Sequence, residues 1–354
     1  MVDDPNRRGG RSGSSGRSGR HGSSRRGHSS RCQPQRCELR APAKVNLSLL
    51  VGPRRPDGYH EVFSLMVPVT LVDVLVAERT SDGLTVESEV CPGDDNLAAH
   101  AVRALEEWAG RPLPVRLQID KRIPAGGGLG GGSSDAAAAL RAVAELYGLH
   151  VPQPALYRLA AGIGADVPFF LWQGPQIAMG RGNVLSAAEL PRPLYLVLAV
   201  PGVRLSTPEV YGWRDEDVSV RLDEFAAQIV RLRSRLRSAR RPQDLAAVVV
   251  NDLEPHVVAR RPVVGRLKER LLEAGAVAAA MSGSGSSVFG LFVDRREAAE
   301  AAADLRAWAT APGPAAGDAG LPASVRASSE GAGDLSGLRV LEVSDLGPLN
   351  YLWH

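Results

Sequence analysis

Between Arg40 and Gly52, "RAPAKVNLSLLVG", apolar and polar positions alternate. Ala43, Val45, Leu47 and Leu49 share one side of an extended chain, and Lys44, Asn46 and Ser48 share the other. The pattern predicts a half-buried strand whose polar face carries a lysine and an asparagine two residues apart. "RRPDGYHEV" reads as a turn marked by Asp57-Gly58. "FSLMVPVTLVDVLVAE", "GLTVESEV" and "PVRLQID" read as further strands, and "NLAAHAVRALEEWAG" as a helix with Gly110 past its end.

After residue 132 the period changes to that of a helix, through Leu140, Val143, Ala144 and Tyr147. Ser133 or Ser134 is the expected N-cap, Asp135 the first-turn acid, and Gly148 the stop. "PALYRLAAGIG" is a short helix ending at "GADVPFFL". The Pro-rich "LPRPL" precedes a new set of elements. These are a strand in "PLYLVLAVPG", helices near 222–238, 242–250 and 262–274, and a strand-loop unit in "GAVAAAMSGSGSSVFGLFV". "LRVLEV", near 338, reads as a last strand with no evident docking site.

The expected organisation is a tail over 1–37, domains over 38–190 and 191–310, and a low-complexity segment with a terminal strand over 311–354. The fold class is α+β. Composition is that of a globular chain, with 44% hydrophobic and 23% charged residues. No apolar run is long enough to span a membrane. Nine arginines but only two aspartates fall in residues 1–37, so this tail outweighs the chain's net +3 and leaves the body mildly acidic. An acidic body argues against nucleic acid as a partner. The Arg/Gly/Ser tail is expected to be disordered. It has no apolar core for a signal peptide, which favours a cytoplasmic protein. Cys32, Cys37 and Cys91 form no disulfide framework or zinc pattern, as expected of a reducing compartment.

Six of the seven residues from Gly126 to Gly132 are glycine. The stretch satisfies G-x-G-x-x-G almost automatically, and the acidic residue that a dinucleotide site needs further on is missing. A P-loop is excluded, because no Gly-Lys-Ser/Thr is present. A glycine loop abutting a helix start still offers free backbone N–H groups and the positive end of the helix dipole, which suits phosphate. A flexible linker is the plainer alternative. Asp166, in "GADVPFF", is flanked by apolar residues and suits a general base, or simply a turn aspartate. Lys44, Tyr59-His60 and the "MSGSGSS" loop at 281–287 each have an ordinary structural reading when taken alone.

In combination and order, "PAGGGLGGGSSDAA" between a Lys-bearing first strand and the late "MSGSGSS" resembles the GHMP kinase superfamily, over about residues 40 to 310. That resemblance implies a ribosomal-S5-domain-2-like N-terminal half, a ferredoxin-like C-terminal half, and a site in the cleft between them. "PAKVNLSLLVGPRRPDGYHEV" and "GADVPFFL" are similar to the superfamily branch that phosphorylates the 2-hydroxyl of a cytidine-diphosphate-linked methylerythritol for non-mevalonate isoprenoid synthesis. By resemblance, Pro124, Ala125, Gly126, Gly127, Gly128, Leu129, Gly130, Gly131, Gly132, Ser133 and Ser134 cradle ATP, with Asn96 near the nucleotide. Asp166 is the catalytic aspartate, Lys44 the lysine assisting it, and Asn46 a substrate contact. Tyr59 and His60 recognise cytosine, and Tyr211 in "TPEVY" covers its other face. Mg²⁺ is expected with ATP, its ligands left open, as is the choice between monomer and homodimer. The alternatives are a GHMP kinase for another small alcohol and, from another class, an RNA-binding protein using an S5-like domain and the basic arm.

Overall fold

The computed structural model describes residues 31–33, 35–172, 174–310, 335 and 337–345. The expected disorder of 1–30 and of most of 311–337 lies outside them. Residues 31–37 do not follow the tail reading. β1 (Arg31–Gln33) pairs antiparallel with the start of β2 (Arg36–Arg54), so the folded chain begins before Glu38. Cys37 is disulfide-bonded, which corrects the expectation of three unpaired cysteines, while Cys91 is free.

β2 and β3 (His60–Arg79) form a long antiparallel hairpin. β5 (Val115–Asp120) pairs antiparallel with β3, and β4 (Thr85–Ser88) lies parallel beside β5. β6 (Gln176–Gly180) takes the other end of β3 and carries β7 (Val184–Ala187). β9 (Val250–Asn251) adds to β2, giving eight strands in one sheet. α1 (Leu97–Ala109), α2 (Gly131–Leu146) and α3 (Gln153–Ile163) cover part of it. The alanine run 136–139 suits α2, because small side chains let it sit close against β2 and α1.

A second sheet follows residue 190, in the order β10 (Ala278–Met281), β11 (Val288–Phe292), β8 (Tyr195–Val200), β12 (Arg339–Ser344). All its pairings are antiparallel. α7 (Pro262–Glu273) and α8 (Arg295–Thr310) pack on it. β8, α7, β10, β11, α8 and β12 make the β-α-β-β-α-β order of a ferredoxin-like unit. The chain between β8 and α7 adds α4 (Thr207–Asp217), α5 (Leu222–Ser238), a 3₁₀ turn at Pro242–Val248, and α6 (Glu254–Arg260). The 242–250 helix is therefore a 3₁₀ turn ending in a short strand. "LRVLEV" docks along β8 and completes the sheet. Asp345, just past β12, is buried against Arg192 and accepts the Leu194 N–H at 2.8 Å.

Leu47, Phe63, Leu65, Leu196, Leu198 and Phe289 join the two sheets in one buried core. Each fully buried side chain of this size contributes about 1.5–3 kcal/mol. The polar face of β2 is covered too, by Ser282 and its loop and by the Val248 turn, so its half-buried reading fails. Lys44, Asn46 and Ser48 are as buried as their apolar neighbours.

Candidate active site

A cleft of 1080 Å³ opens between the sheets, and both glycine loops border it. The first loop is docked on two sides. The Lys44 N–H donates to the Leu129 carbonyl at 2.9 Å, and the Ser287 N–H to the Gly127 carbonyl at 3.2 Å. The Ser282 hydroxyl donates to the Gly128 carbonyl at 3.2 Å. Gly128, at φ +75°, runs so close to the second loop that a Cβ would overlap the Ser282 carbonyl oxygen. Gly130, at φ +72°, is the N-cap of α2. Neither Ser133 nor Ser134 caps the helix by a side-chain bond, so that expectation is corrected, and Asp135 lies beyond the first turn. No side chain is bonded at the cap, and the residues of the first turn border the cleft. Pro124 through Ser133 all line it, whereas Ser134 is buried behind.

Lys44 projects from β2 into this cleft. Its ammonium donates to Asn46 Oδ1 and stands 3.6 Å from Asp166 Oδ2. Asn46 Nδ2 donates in turn to the Ser64 hydroxyl at 2.7 Å, and Ser64 to the Ser48 carbonyl at 2.8 Å. The Asn46 amide oxygen is thus aimed at the lysine. Asp166 precedes the 3₁₀ turn Pro168–Leu171, whose buried Phe169 and Phe170 anchor it. Its side chain keeps 38% exposure, so the carboxylate is reachable from the cleft. A buried cation beside an accessible carboxylate, facing a helix N-terminus, can hold a hydroxyl, take its proton and neutralise transferred charge.

The other end of the cleft is aromatic. His60, at the start of β3, shares a 2.9 Å hydrogen bond through Nε2 with Asp215. Its ring lies 5.2 Å from that of Tyr211 on α4, tilted by 35°. At that separation the two rings already touch, so a base cannot lie between them. Tyr59 is 53% exposed, and the Arg181 guanidinium covers its ring at 4.0 Å. Burial, and then the charge of Asp166, push the Tyr211 hydroxyl far above its ordinary pKa, so it stays protonated. Asn96 lines the cleft and has a structural task too. Its Oδ1 caps α1 by accepting the Ala98 N–H at 2.9 Å, and its amide donates to the Cys91 carbonyl.

Sequence reasoning missed a buried ionic cluster at the root of the loop. Lys121 lies between Asp73 and Asp135, 2.6 Å from Asp135 Oδ2. A lone carboxylate inside the apolar run "TLVDVLV" and a lysine just ahead of the glycines were the signals available. Burial and the neighbouring Asp73 raise Asp135 to about 7 against the pull of Lys121. Lys121 itself is raised, as its two carboxylates outweigh desolvation. The two directions agree once the three groups are counted together, because one ammonium cannot neutralise two buried carboxylates. Among the described residues no group of three or more His, Cys, Asp or Glu could hold a metal ion. Nor, among the described residues, is any helix long and apolar enough to cross a membrane.

Residues 96–174 match the model of the GHMP kinases N terminal domain, and residues 227–311 that of the GHMP kinases C terminal. The 4-diphosphocytidyl-2-C-methyl-D-erythritol kinase of Geobacter sp. (strain M21) is 41% identical, over 77% of this chain and 97% of that protein. The enzyme of the same name from Anaeromyxobacter sp. (strain Fw109-5) is 44% identical, over 75% and 86%. A crystal structure of 4-(cytidine 5'-diphospho)-2C-methyl-D-erythritol kinase superposes with a TM-score of 0.67 at 36% identity, covering 88% of this chain and all of the other. Homoserine kinase from Cytophaga hutchinsonii shares the fold, with a TM-score of 0.65 at 17% identity over 89% and 96%.

Proposed function

The chain belongs to the 4-diphosphocytidyl-2-C-methyl-D-erythritol kinases of the GHMP kinase family, and on that premise we propose how its own residues perform the reaction. It is a small-molecule kinase that uses ATP to phosphorylate a cytidine-diphosphate-linked methylerythritol, a step of isoprenoid synthesis. The observation that carries our assignment of roles is the Lys44–Asp166 pair, set opposite the N-terminus of α2 in one cleft.

The loop amides from Gly126 to Ser133 receive the β- and γ-phosphates, and the helix dipole adds to their pull. The acceptor's 2-hydroxyl sits against Lys44 and Asp166. Asp166 takes its proton as the new O–P bond forms, and Lys44 holds the developing negative charge. Asn46, locked by Ser64, fixes the ammonium's direction. Cytosine stacks between Tyr59 and Tyr211 once Arg181 swings off the Tyr59 ring, with His60 at the base edge held by Asp215. Because His60 and Tyr211 touch, the sandwich is formed by the two tyrosines. Asn96, the cap of α1, borders the nucleotide from beside the start of α2, where Leu97 neighbours Gly132.

Mg²⁺ fits this cleft as a guest of the nucleotide, since the ion keeps several waters and binds phosphate oxygens, needing few protein ligands. Asp166, an accessible carboxylate on this cleft, would help hold its hydration shell. When bound, the ion neutralises charge on the transferred phosphoryl group. The enzyme acts in the cytoplasm, and its halves meet near residue 190.

The test is ADP release from ATP with the cytidine-diphosphate substrate, set against mevalonate, homoserine and galactose. Stimulation by the first alone is expected. Equal stimulation by another alcohol would refute the substrate assignment.

A further inference from the structure

We infer that the buried Asp73–Lys121–Asp135 cluster is a staple at the root of the glycine loop that sets nucleotide affinity by taking up a proton when phosphates bind. The inference rests on the reading of that loop as the phosphate site.

The geometry is that of a staple. Asp73 of β3 accepts the backbone N–H groups of Arg122 and Ile123 at 2.5 and 2.8 Å, and its other oxygen takes the Lys121 ammonium. The same ammonium reaches Asp135 on α2 at 2.6 Å. Residues 121 and 135 bracket the whole loop, so this one cation ties its two ends together and to the sheet. The cluster also adjoins the phosphate position. A Cβ on Gly131, in the first turn of α2, would lie 3.3 Å from the Lys121 ammonium. Lys121 and Asp135 both line the cleft.

The charge count is what makes the staple responsive. With both carboxylates ionised the cluster carries a surplus negative charge in a dry site. Asp135 Oδ1 is fully buried and accepts no hydrogen bond, which costs the ionised form its solvation. Of the elements packed around Asp135, β3 contributes Asp73 and the segment after β5 contributes Lys121. The other acidic and basic side chains on the same cleft are Lys44 and Arg54 from β2, His60 from β3, Asp95 before α1, Asp166 before the 3₁₀ turn, Arg181 after β6 and Asp215 on α4. Burial and Asp73 hold Asp135 at about 7, so its proton is available near neutrality. A polyphosphate arriving on α2 adds negative charge and drives that proton on. Below neutrality the cluster is neutral and the phosphates meet no opposition. Above it they are opposed, and affinity falls.

The experiment titrates ATP into the full-length protein by calorimetry from pH 6.5 to 8.5, in two buffers of different ionisation enthalpy. Wild type is compared with Asp135→Asn, an isosteric and permanently neutral change. Wild type is expected to take up a fraction of a proton per ATP at pH 7.5 beyond that of the variant. Its Kd for ATP should rise by about fivefold more over the range, a size set by linkage of one group. Parallel Kd profiles with equal proton uptake overturn the staple; if Asp135→Asn folds poorly, Asp73→Asn, which removes the other carboxylate of the cluster, takes its place, and proton uptake equal to wild type there overturns it as well. Gly132→Val separates the two readings, since it fills the cradle where a Cβ meets only Leu97, at 3.6 Å. If Gly132→Val leaves Kd unchanged, the phosphate reading falls. If it weakens ATP while the Asp135→Asn profile parallels wild type, the staple alone falls.

Discussion

Two glycines four residues apart should respond to alanine with opposite signs. At Gly128 the backbone is left-handed, at φ +75°, and a methyl group would overlap the Ser282 carbonyl and stand 3.0 Å from the Gly285 amide nitrogen. The conformation costs an L-residue roughly 1–2 kcal/mol. Forcing two packed loops apart typically costs a further 1–3 kcal/mol. Gly128→Ala is therefore expected to lose about 2–5 kcal/mol, a large part of the roughly 5–15 kcal/mol that a folded protein holds. It also pulls on the Ser282 hydroxyl, which bonds the Gly128 carbonyl and accepts the Asn46 N–H, so the strain reaches Lys44's neighbour. Gly132 is exposed in the first turn of α2, and a Cβ there meets only Leu97. Alanine removes about 0.5–1 kcal/mol of backbone entropy cost, so Gly132→Ala should be slightly more stable. Urea titration followed by circular dichroism reads both values, and the KM for ATP is measured alongside. KM should rise in both variants, through loop displacement in one and a methyl in the phosphate cradle in the other. A Gly128→Ala midpoint within about 0.5 kcal/mol of wild type would refute the interlocking of the two loops.

Asp166→Asn should lower kcat by about 10²–10⁴-fold, the usual worth of a positioned base, while equilibrium ATP binding changes little; wild-type turnover would remove Asp166 from the base's role. Asp345→Ala leaves the buried Leu194 N–H without its acceptor and should cost about 1–3 kcal/mol in urea titration, and a neutral result would mean that β12 is dispensable to the sheet. Because Asp135 is raised to about 7 when folded, the folded chain holds more protons than the unfolded one between the ordinary carboxylate range and neutrality. Its contribution to stability is therefore present at low pH and is lost as pH rises through about 7. Melting curves at pH 5.5 and 8 should show a smaller drop for Asp135→Asn than for wild type, and an equal drop would place the ionised Asp135 in a well-solvated setting.

The parts of this molecule readable from sequence are those encoded by neighbours in the chain. Alternation from Ala43 to Leu49 marks a strand, and it correctly puts Lys44 and Asn46 on one face. It cannot tell what covers that face, because the cover is Ser282 and its loop, 236 residues away. The same limit hid the ionic cluster. Asp135 sits in a helical run, where a lone acid looks solvated, and its meaning depends on Lys121, 14 residues back, which in turn depends on Asp73, 48 residues before that. The cap of α2 was misassigned for a different reason. Serine is a good cap where a helix begins just after it, but α2 begins at Gly131, after a left-handed glycine, so Ser133 and Ser134 lie inside the helix and not at its cap. That misreading is informative. A side-chain oxygen bonded to the amides at the cap would compete with a phosphate for them, so a cap made of backbone alone is what an anion site at this helix end requires.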